Sequence, residues 1–360
     1  MYFTDKPIED EEDFYDREQE LRLLKEYSLK YSLTLVLGFR RTGKTSLIKV
    51  GLKGLKTIYI DMRKFEDKTA ITYSNFLREL EKEINRKRGK WRNLMDYLKA
   101  LKGVKIGELG IEFSLGRERT NLGDILDSLN EWAYSEGERL VLIIDEVQEL
   151  IKMRGYNLLP VFAYSYDNLR NISFVFAGSK IGMVYRYLKT DEEDSPLFGR
   201  FVAKVELKPF NEDQGVDFLN KGFKQYGIEI SEDRLREVTR RLGGIPGWLA
   251  LYGLESVNSR RDALNEVVEK AFRLVSKEFC SFVRERGSRR YVELIKGLKL
   301  TGRWSELKRY LEIKEGNRIT DAEITKLLTN LVYAGFVEKF NDEYRIVDPI
   351  LRDNVDKIVC

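Results

Sequence analysis

The sequence predicts an α/β protein: a doubly wound parallel sheet first, a small helical domain after it, and a closing module of three helices and a hairpin. Three observations underlie that expectation. The apolar run 33–37 passes directly into a glycine-bounded loop and then into a helical pattern. Four more apolar runs, at 57–61, 140–145, 173–177 and 203–207, are separated by helical stretches and show no polar alternation, as strands covered on both faces should. After Pro209 the periodicity is helical almost to the C-terminus.

Length and composition agree with this reading. The 360 residues are enough for two or three domains of roughly 100 to 200 residues each. A hydrophobic fraction of 42% and a charged fraction of 34% place the chain among globular proteins and exclude global disorder. The longest apolar runs, such as LTLVLGF, fall far short of the roughly 20 residues a membrane helix needs. The acidic start MYFTDKPIEDEEDFYD lacks the basic-then-apolar progression of a leader, so a cytoplasmic protein with no membrane partner is expected. Histidine is absent, which excludes histidine-based zinc sites, triads and pH switches. Cys280 and Cys360 are too few for a disulfide framework or a metal cluster and are read as plain thiols. The near balance of 63 Lys+Arg and 59 Asp+Glu, with few glutamines, resembles hyperthermophile usage. The net charge of +4 is too small for a protein that coats nucleic acid, but residues 271–360 hold 18 Lys+Arg against 14 Asp+Glu, with Arg284, Arg286, Arg289 and Arg290 clustered at their entrance.

The strongest motif is GFRRTGKT, residues 38–45, which matches G-x-x-x-x-G-K-[ST] between a strand and a helix. In such a loop the backbone N–H groups wrap phosphates and the helix dipole adds positive potential. Gly38, Arg40, Arg41, Thr42, Gly43, Lys44, Thr45 and Ser46 are therefore the candidate nucleotide-binding residues, with Lys44 on the β and γ phosphates and the Thr45 hydroxyl on Mg²⁺. The strand 140–145 ends in Asp145-Glu146 at the edge where such sheets bind ligands; Asp145 is a second Mg²⁺ ligand and Glu146 the base that polarises the attacking water. Gln148 reads as a surface residue. The strand FVFAG delivers Ser179 to the same edge as a sensor, its hydroxyl placed for a hydrogen bond to the γ-phosphate or to the attacking water. SPLFGR places Arg200 just before the last strand, where it is a candidate arginine finger for its own or a neighbouring site. A guanine site wants N-K-x-D, and Asn220-Lys221-Gly222-Phe223 lacks the Asp, so ATP and ADP are the expected ligands.

The remaining segments follow in order. Between the second and third strands lie a basic helical region, 76–102, and the stretch GVKIGELGIEFSLG, whose alternating Ile111, Phe113 and Leu115 predict a hairpin insertion. Asn211 and Ser231, each followed by acids, predict capped helices in the helical domain. Thr320 and Glu323 form a T-x-x-E capping box before a helix that Gly335 closes. FVEKF, the turn Asn341-Asp342-Glu343 and YRIV then make a wing, with YVELIKGL and SELKRYLE as the two preceding helices. Domains are expected at 1–210, 211–277 and 278–360, with linkers near Pro209 and Lys277.

Together GFRRTGKT, LIIDEVQ, FAGS, SPLFGR and GGIPGWL, with FYDREQELRLL ahead of them, resemble the archaeal ATPase family over nearly the whole chain. That family is a branch of the AAA+-like signal-transduction, or STAND, ATPases. The resemblance implies a P-loop NTPase with a five-stranded parallel sheet in the order 5-1-4-3-2, a helical lid and a C-terminal winged helix. It also implies that Tyr15, Asp16 and Arg17 approach the adenine and that Pro246 touches the base from the lid. No sensor arginine is evident on the lid helix, which favours a slow ATP-hydrolysing switch over rapid, oligomer-driven turnover. Two roles for the winged helix stand open. In one, helix 320–334 enters the major groove of duplex DNA, with Lys326 and Asn330 its only obvious contacts. In the other the module packs on the ATPase core or on a protein partner. Arg200 acting in trans implies nucleotide-dependent self-association.

Overall fold

The computed structural model describes residues 1–91, 93–107, 110–115 and 120–360. Its centre is a five-stranded sheet of β1 (Leu33–Leu37), β2 (Lys56–Asp61), β3 (Leu140–Asp145), β4 (Ile172–Gly178) and β5 (Ala203–Glu206). Every pairing is parallel, and the order across the sheet is β5-β1-β4-β3-β2, as the sequence resemblance implies. In β1, β3 and β4 the continuous apolar runs are explained by burial on both sides, whereas the edge strand β5 departs from the expectation and alternates, with Ala203 and Val205 buried and Lys204 and Glu206 exposed. Leu33, Leu35 and Leu37 join Leu142, Ile144, Phe174 and Phe176 in one core, under the helices Tyr73–Lys87, Leu122–Ser135 and Leu159–Asn168. Val36, Val141, Ile143 and Val175 face the other way, onto the helices Glu18–Lys30 and Lys44–Gly51. All five residues of β1 and all seven of β4 are buried, so neither strand has a face on which a polar residue could alternate.

The interval between β2 and β3 contains the Tyr73–Lys87 and Leu94–Lys99 helices and the expected hairpin, Val104–Gly107 paired antiparallel with Gly110–Phe113. The residues joining its strands lie outside the described residues, as does Gly116 of the same stretch.

After β5 come the helices Glu212–Lys224, Glu232–Arg241 and Pro246–Ser259, then the long helix Leu264–Arg286. The linker expected near Lys277 is not there. Nothing between Leu264 and Arg286 breaks a helix, and the turn comes only at Gly287, in the left-handed region at φ 64. The three helices of the last module, Arg290–Gly297, Trp304–Glu315 and Asp321–Tyr333, and its wing, Val337–Phe340 with Glu343–Ile346, follow the sequence reading closely. The wing turn is shorter than expected, since Glu343 already pairs with Phe340 and only Asn341 and Asp342 lie between the strands. The helical domain and the winged helix share a single hydrophobic core that runs from Phe210 through Trp248, Phe279 and Leu328 to Ile358 and also takes in Phe3 from the N-terminus.

Three local expectations are corrected. Asn211 forms a full capping box with Gln214, but the Ser231 side chain makes no cap hydrogen bond. Thr320 accepts from the Glu323 N–H, whereas the Glu323 carboxylate turns to Arg290 and does not complete the box. Cys280 and Cys360 are joined in a disulfide, because the chain end folds back across the long helix and brings the two Cα atoms to 5.1 Å over a separation of 80 residues. That meeting is tertiary, and no spacing rule announces it. Among the described residues no helix is long and apolar enough to cross a membrane.

Candidate active site

The loop between β1 and the Lys44–Gly51 helix turns through two left-handed residues, Arg41 at φ 67 and Gly43 at φ 96. Gly43 is the residue that enters the helix, and the first N–H groups of that helix have no intrahelical acceptor, so they form a donor crown at the sheet edge. The Lys44 ammonium is buried beneath it and donates to the carbonyls of Gly38 at 2.7 Å and Phe39 at 2.9 Å. Burial pulls Lys44 below its usual lysine range, against the opposing charges of Glu146 and Asp145.

At the end of β3 the Thr45 hydroxyl donates to the Asp145 carboxylate at 3.1 Å, and the Tyr59 hydroxyl from β2 donates to the same oxygen. Burial pushes the Asp145 carboxyl up and the neighbouring Glu146 charge adds to it. A hard cation between Thr45 and Asp145 would find an oxygen pair and would relieve that buried charge, so the residues fit Mg²⁺. Among the described residues no group of three or more acidic, histidine or cysteine side chains is placed to hold a metal ion.

Glu146 sits in the left-handed region at φ 53 and ψ 49, a conformation that a non-glycine residue adopts at some cost. Its carboxylate is fixed there by the Ser179 hydroxyl at 2.7 Å and by the Gln148 side-chain amide. Burial alone would raise this carboxyl, but Lys44, the Ser179 and Gln148 hydrogen bonds and Arg40 together hold it below the usual glutamate range. Gln148, read from sequence as a surface residue, is fully buried and positions Glu146. The difference comes from the 3-10 turn 147–152, which buries the consecutive residues Val147, Gln148, Glu149 and Leu150 without a helical or strand period to announce it.

A cavity of about 560 Å³ runs from this cluster towards the lid. Tyr15, Arg17 and Pro246 line it, as does the N-terminal segment through Tyr2 and Ile8, which no motif or period places there. The Tyr15 hydroxyl donates to Asp217 of the lid at 2.6 Å, so only its ring faces the cavity. Arg17 is bound to Glu20 and to the Lys208 carbonyl and lies over the Phe210 ring. Asp16 accepts from Gln214 of the lid cap and does not line the cavity. Arg40 and Arg41 face a carboxylate missed by the sequence reading, Glu278 of the long helix, whose Oε1 lies 3.0 Å from both guanidinium groups. Arg40 also pairs with Glu66, and Arg41 stacks over Trp248 at 4.2 Å while its carbonyl accepts from the Gly247 N–H. Arg200 is elsewhere. It precedes β5, at the N-terminal edge of the sheet, and its guanidinium is held by Asp167 and the Pro196 carbonyl.

Comparison with known proteins accords with this arrangement. Residues 14–251 match the model of an ATPase domain predominantly from Archaea, and residues 285–347 match the C-terminal winged helix-turn-helix domain of MCM proteins. The Walker-type ATPase paby2304 of Pyrococcus abyssi superposes with a TM-score of 0.85 at 31% identity, over 99% of this chain and 100% of that one. The ORC2 protein of Aeropyrum pernix, in its ADPNP-ADP complexes, superposes at 0.59 with 14% identity, over 99% and 96% of the two chains, a likeness of fold alone. No curated protein matches the chain. The fold, the loop at residues 38–45 and the match over residues 14–251 together make the chain a member of the ATPase family found predominantly in Archaea, with a winged helix at its C-terminal end.

Proposed function

We propose that the chain binds Mg²⁺ and ATP, hydrolyses the nucleotide slowly, and works as a switch of the STAND type in which nucleotide state sets the position of the lid and winged helix. The supporting observation is that Lys44, Thr45, Asp145, Glu146 and Ser179 converge at one sheet edge, and that the long helix packed on the winged helix reaches the same edge through Glu278. In this reading Lys44 exchanges its two carbonyl acceptors for oxygens of the β and γ phosphates. Thr45 and Asp145 hold the Mg²⁺, whose charge offsets that of the triphosphate when bound. Glu146, held ionised, accepts the proton of the attacking water, and Ser179 keeps the carboxylate aimed. Arg41, Thr42, Gly43 and Ser46 supply loop amides to the phosphates, and Gly38 lets the loop close on itself, since an added Cβ there would lie 2.6 Å from the Leu207 carbonyl and 2.8 Å from the Thr42 hydroxyl. Tyr15, Arg17 and Pro246 shape the adenine end, while Asp16 acts indirectly through the lid cap. Arg200 serves a neighbouring protomer, since its own site lies at the opposite edge of the sheet.

Calorimetric titration with ADP and with the nonhydrolysable analogue AMP-PNP, both with Mg²⁺, tests the reading. Binding of both is expected, and Lys44→Ala should weaken it by about 100-fold, the scale of losing charge-assisted contacts to phosphate. A folded wild-type protein that gives no heat with either ligand would overturn it. Sedimentation without nucleotide, with ADP and with ATP tests the role of Arg200; one unchanging species removes it.

The winged helix-turn-helix match at residues 285–347 favours duplex DNA as a partner over an unspecified protein. The Asn330 amide donates to Tyr291 and Arg290 is taken by Glu315 and Glu323, whereas Lys326 and the clustered Arg284, Arg286 and Arg289 stand exposed. A salt titration of duplex binding by the full chain, with ADP and with AMP-PNP, decides between the readings, because a flat response excludes phosphate contacts.

A further inference from the structure

The two arginines of the phosphate loop are already occupied. Oε1 of Glu278 lies 3.0 Å from Arg40 and 3.0 Å from Arg41, and all three residues line the cavity with Lys44, Thr45 and Glu146. These groups are only partly open to solvent, with side-chain exposures of 31%, 23% and 25% for Arg40, Arg41 and Glu278, so the contacts are stronger than those of a surface pair. Arg40 also senses the charge of Glu146, which sets its guanidinium beside the expected position of a terminal phosphate.

Glu278 belongs to neither the sheet nor the loop. It projects from the Leu264–Arg286 helix, and its neighbours Phe279, Cys280 and Phe282 lie in the core shared with the winged helix, where Phe279 and Phe282 pack on Phe336. The same module touches the sheet edge a second time at Gly335, where an added Cβ would lie 3.5 Å from the Ser179 carbonyl. A carboxylate inside the nucleotide cavity is thus mounted directly on the element that has to move.

We propose that Glu278 is an internal substitute for the terminal phosphate of ATP: it holds Arg40 and Arg41 until a third phosphate displaces it, and its expulsion releases the long helix and the winged helix. The proposal rests on the nucleotide reading of the preceding subsection. Its logic is one of charge. Without a ligand, Arg40, Arg41 and Lys44 crowd one another, and Glu278 with Glu66 offsets them. A terminal phosphate carries more charge than a carboxylate and accepts from guanidinium in the same fork geometry, so it takes both partners and then repels Glu278. ADP ends one phosphate short and occupies the amide crown and Lys44 alone, leaving the latch closed. The device therefore discriminates the two nucleotides by their differential contact with a single glutamate.

The test uses the full chain, wild type and with Glu278→Gln or Glu278→Ala, titrated by calorimetry with ADP and with AMP-PNP in Mg²⁺. Removal of the competitor should raise AMP-PNP affinity about tenfold and change ADP affinity by less than about twofold, the difference expected from freeing one charge-assisted pair. In the wild type, hydrogen exchange of amides 278–286 and 333–336 should be faster with AMP-PNP than with ADP; in Glu278→Gln it should be fast without nucleotide. Equal gains for both nucleotides, no gain for either, or the same wild-type exchange with both would overturn the proposal. The outcomes separate cleanly. A wild type that binds neither nucleotide removes the nucleotide reading itself, whereas a wild type that binds both and matches its variants removes only the latch. The wild-type exchange comparison needs no variant, so a poorly folding substitution leaves the proposal testable.

Discussion

At the scale of single residues, the chemistry depends on carboxylates whose environments differ. Glu146 is held below the usual glutamate range by Lys44, Ser179, Gln148 and Arg40 despite its burial, and it is placed in a left-handed backbone where its carboxylate meets the hydroxyl of Ser179. Glu146→Gln keeps shape and an acceptor for Ser179 and removes the charge and the proposed proton acceptor. It should bind ATP as the wild type does while turnover falls by roughly 100-fold or more, as measured in single-turnover hydrolysis; undiminished turnover would reassign the base. Asp348 behaves in the opposite way. Burial pushes its carboxyl above the ordinary aspartate range, against Arg41 and the N–H of Ile350, so the folded state holds its proton more tightly than the unfolded chain. Stability from this group is then fully present at low pH and is lost as pH rises from about 3.9, the unfolded value, through the raised folded value. Asp348→Asn, which keeps the cap acceptor, should gain on the wild type in melting temperature as pH is raised from 3 to 7. A difference that shrinks over that span would contradict the assignment. The loop, Asp145-Glu146 and Ser179 were legible in the sequence because each stands at the end of an apolar run. Gln148 and Glu278 were not, since the first is turned inward by a short 3-10 segment and the second reaches the site from 237 residues away.

Among elements, strand and helix positions were read well wherever burial imposes a period. Strand limits moved by one residue at most, and the three last helices by a few. What periodicity does not encode is which face of one element meets another. The helix Ile181–Leu188, directly after Ser179, docks on the end of the Asp321–Tyr333 helix so closely that a Cβ at Gly182 would lie 2.7 Å from the Tyr333 ring and 2.9 Å from its Cα. Arg186 then covers the same ring at 5.6 Å. Gly182→Val should therefore force the winged helix off the C-terminal end of β4, at a cost of about 1–3 kcal/mol typical of overpacking. A thermal melt reports the loss, and faster exchange at amides 333–336 locates it; a variant as stable and protected as the wild type would show the seam to be compliant. The expected linker at Lys277 belongs to the same class of misreading. Charged residues on the exposed side of the long helix resemble a boundary in sequence, but its buried side, from Val267 to Val283, is continuous.

For the molecule as a whole, the helical domain and winged helix form one packed body, and the disulfide between Cys280 and Cys360 ties the chain end to it. Closing a loop of 80 residues restricts the unfolded chain, so Cys360→Ser should lower stability by roughly 2–4 kcal/mol in urea unfolding, and a thiol reductant should do the same to the wild type. Identical midpoints with and without reductant would show that the bond contributes nothing. The chain crosses between this body and the sheet domain more than once. It passes from Leu207, in the sheet core, to Phe210, in the shared core. It passes again near the N-terminus, where Phe3 is buried among the lid aromatics and Ile8 is bonded to the Ser46 hydroxyl at the phosphate loop. A rigid object pinned at two separate points keeps only the rotation about the line through them. In the proposed switch the two crossings would set the axis of opening, and residues Thr4–Ile8 of the N-terminal strap also form a wall of the cavity, so a ligand pressing on that wall would bear on the pivot itself.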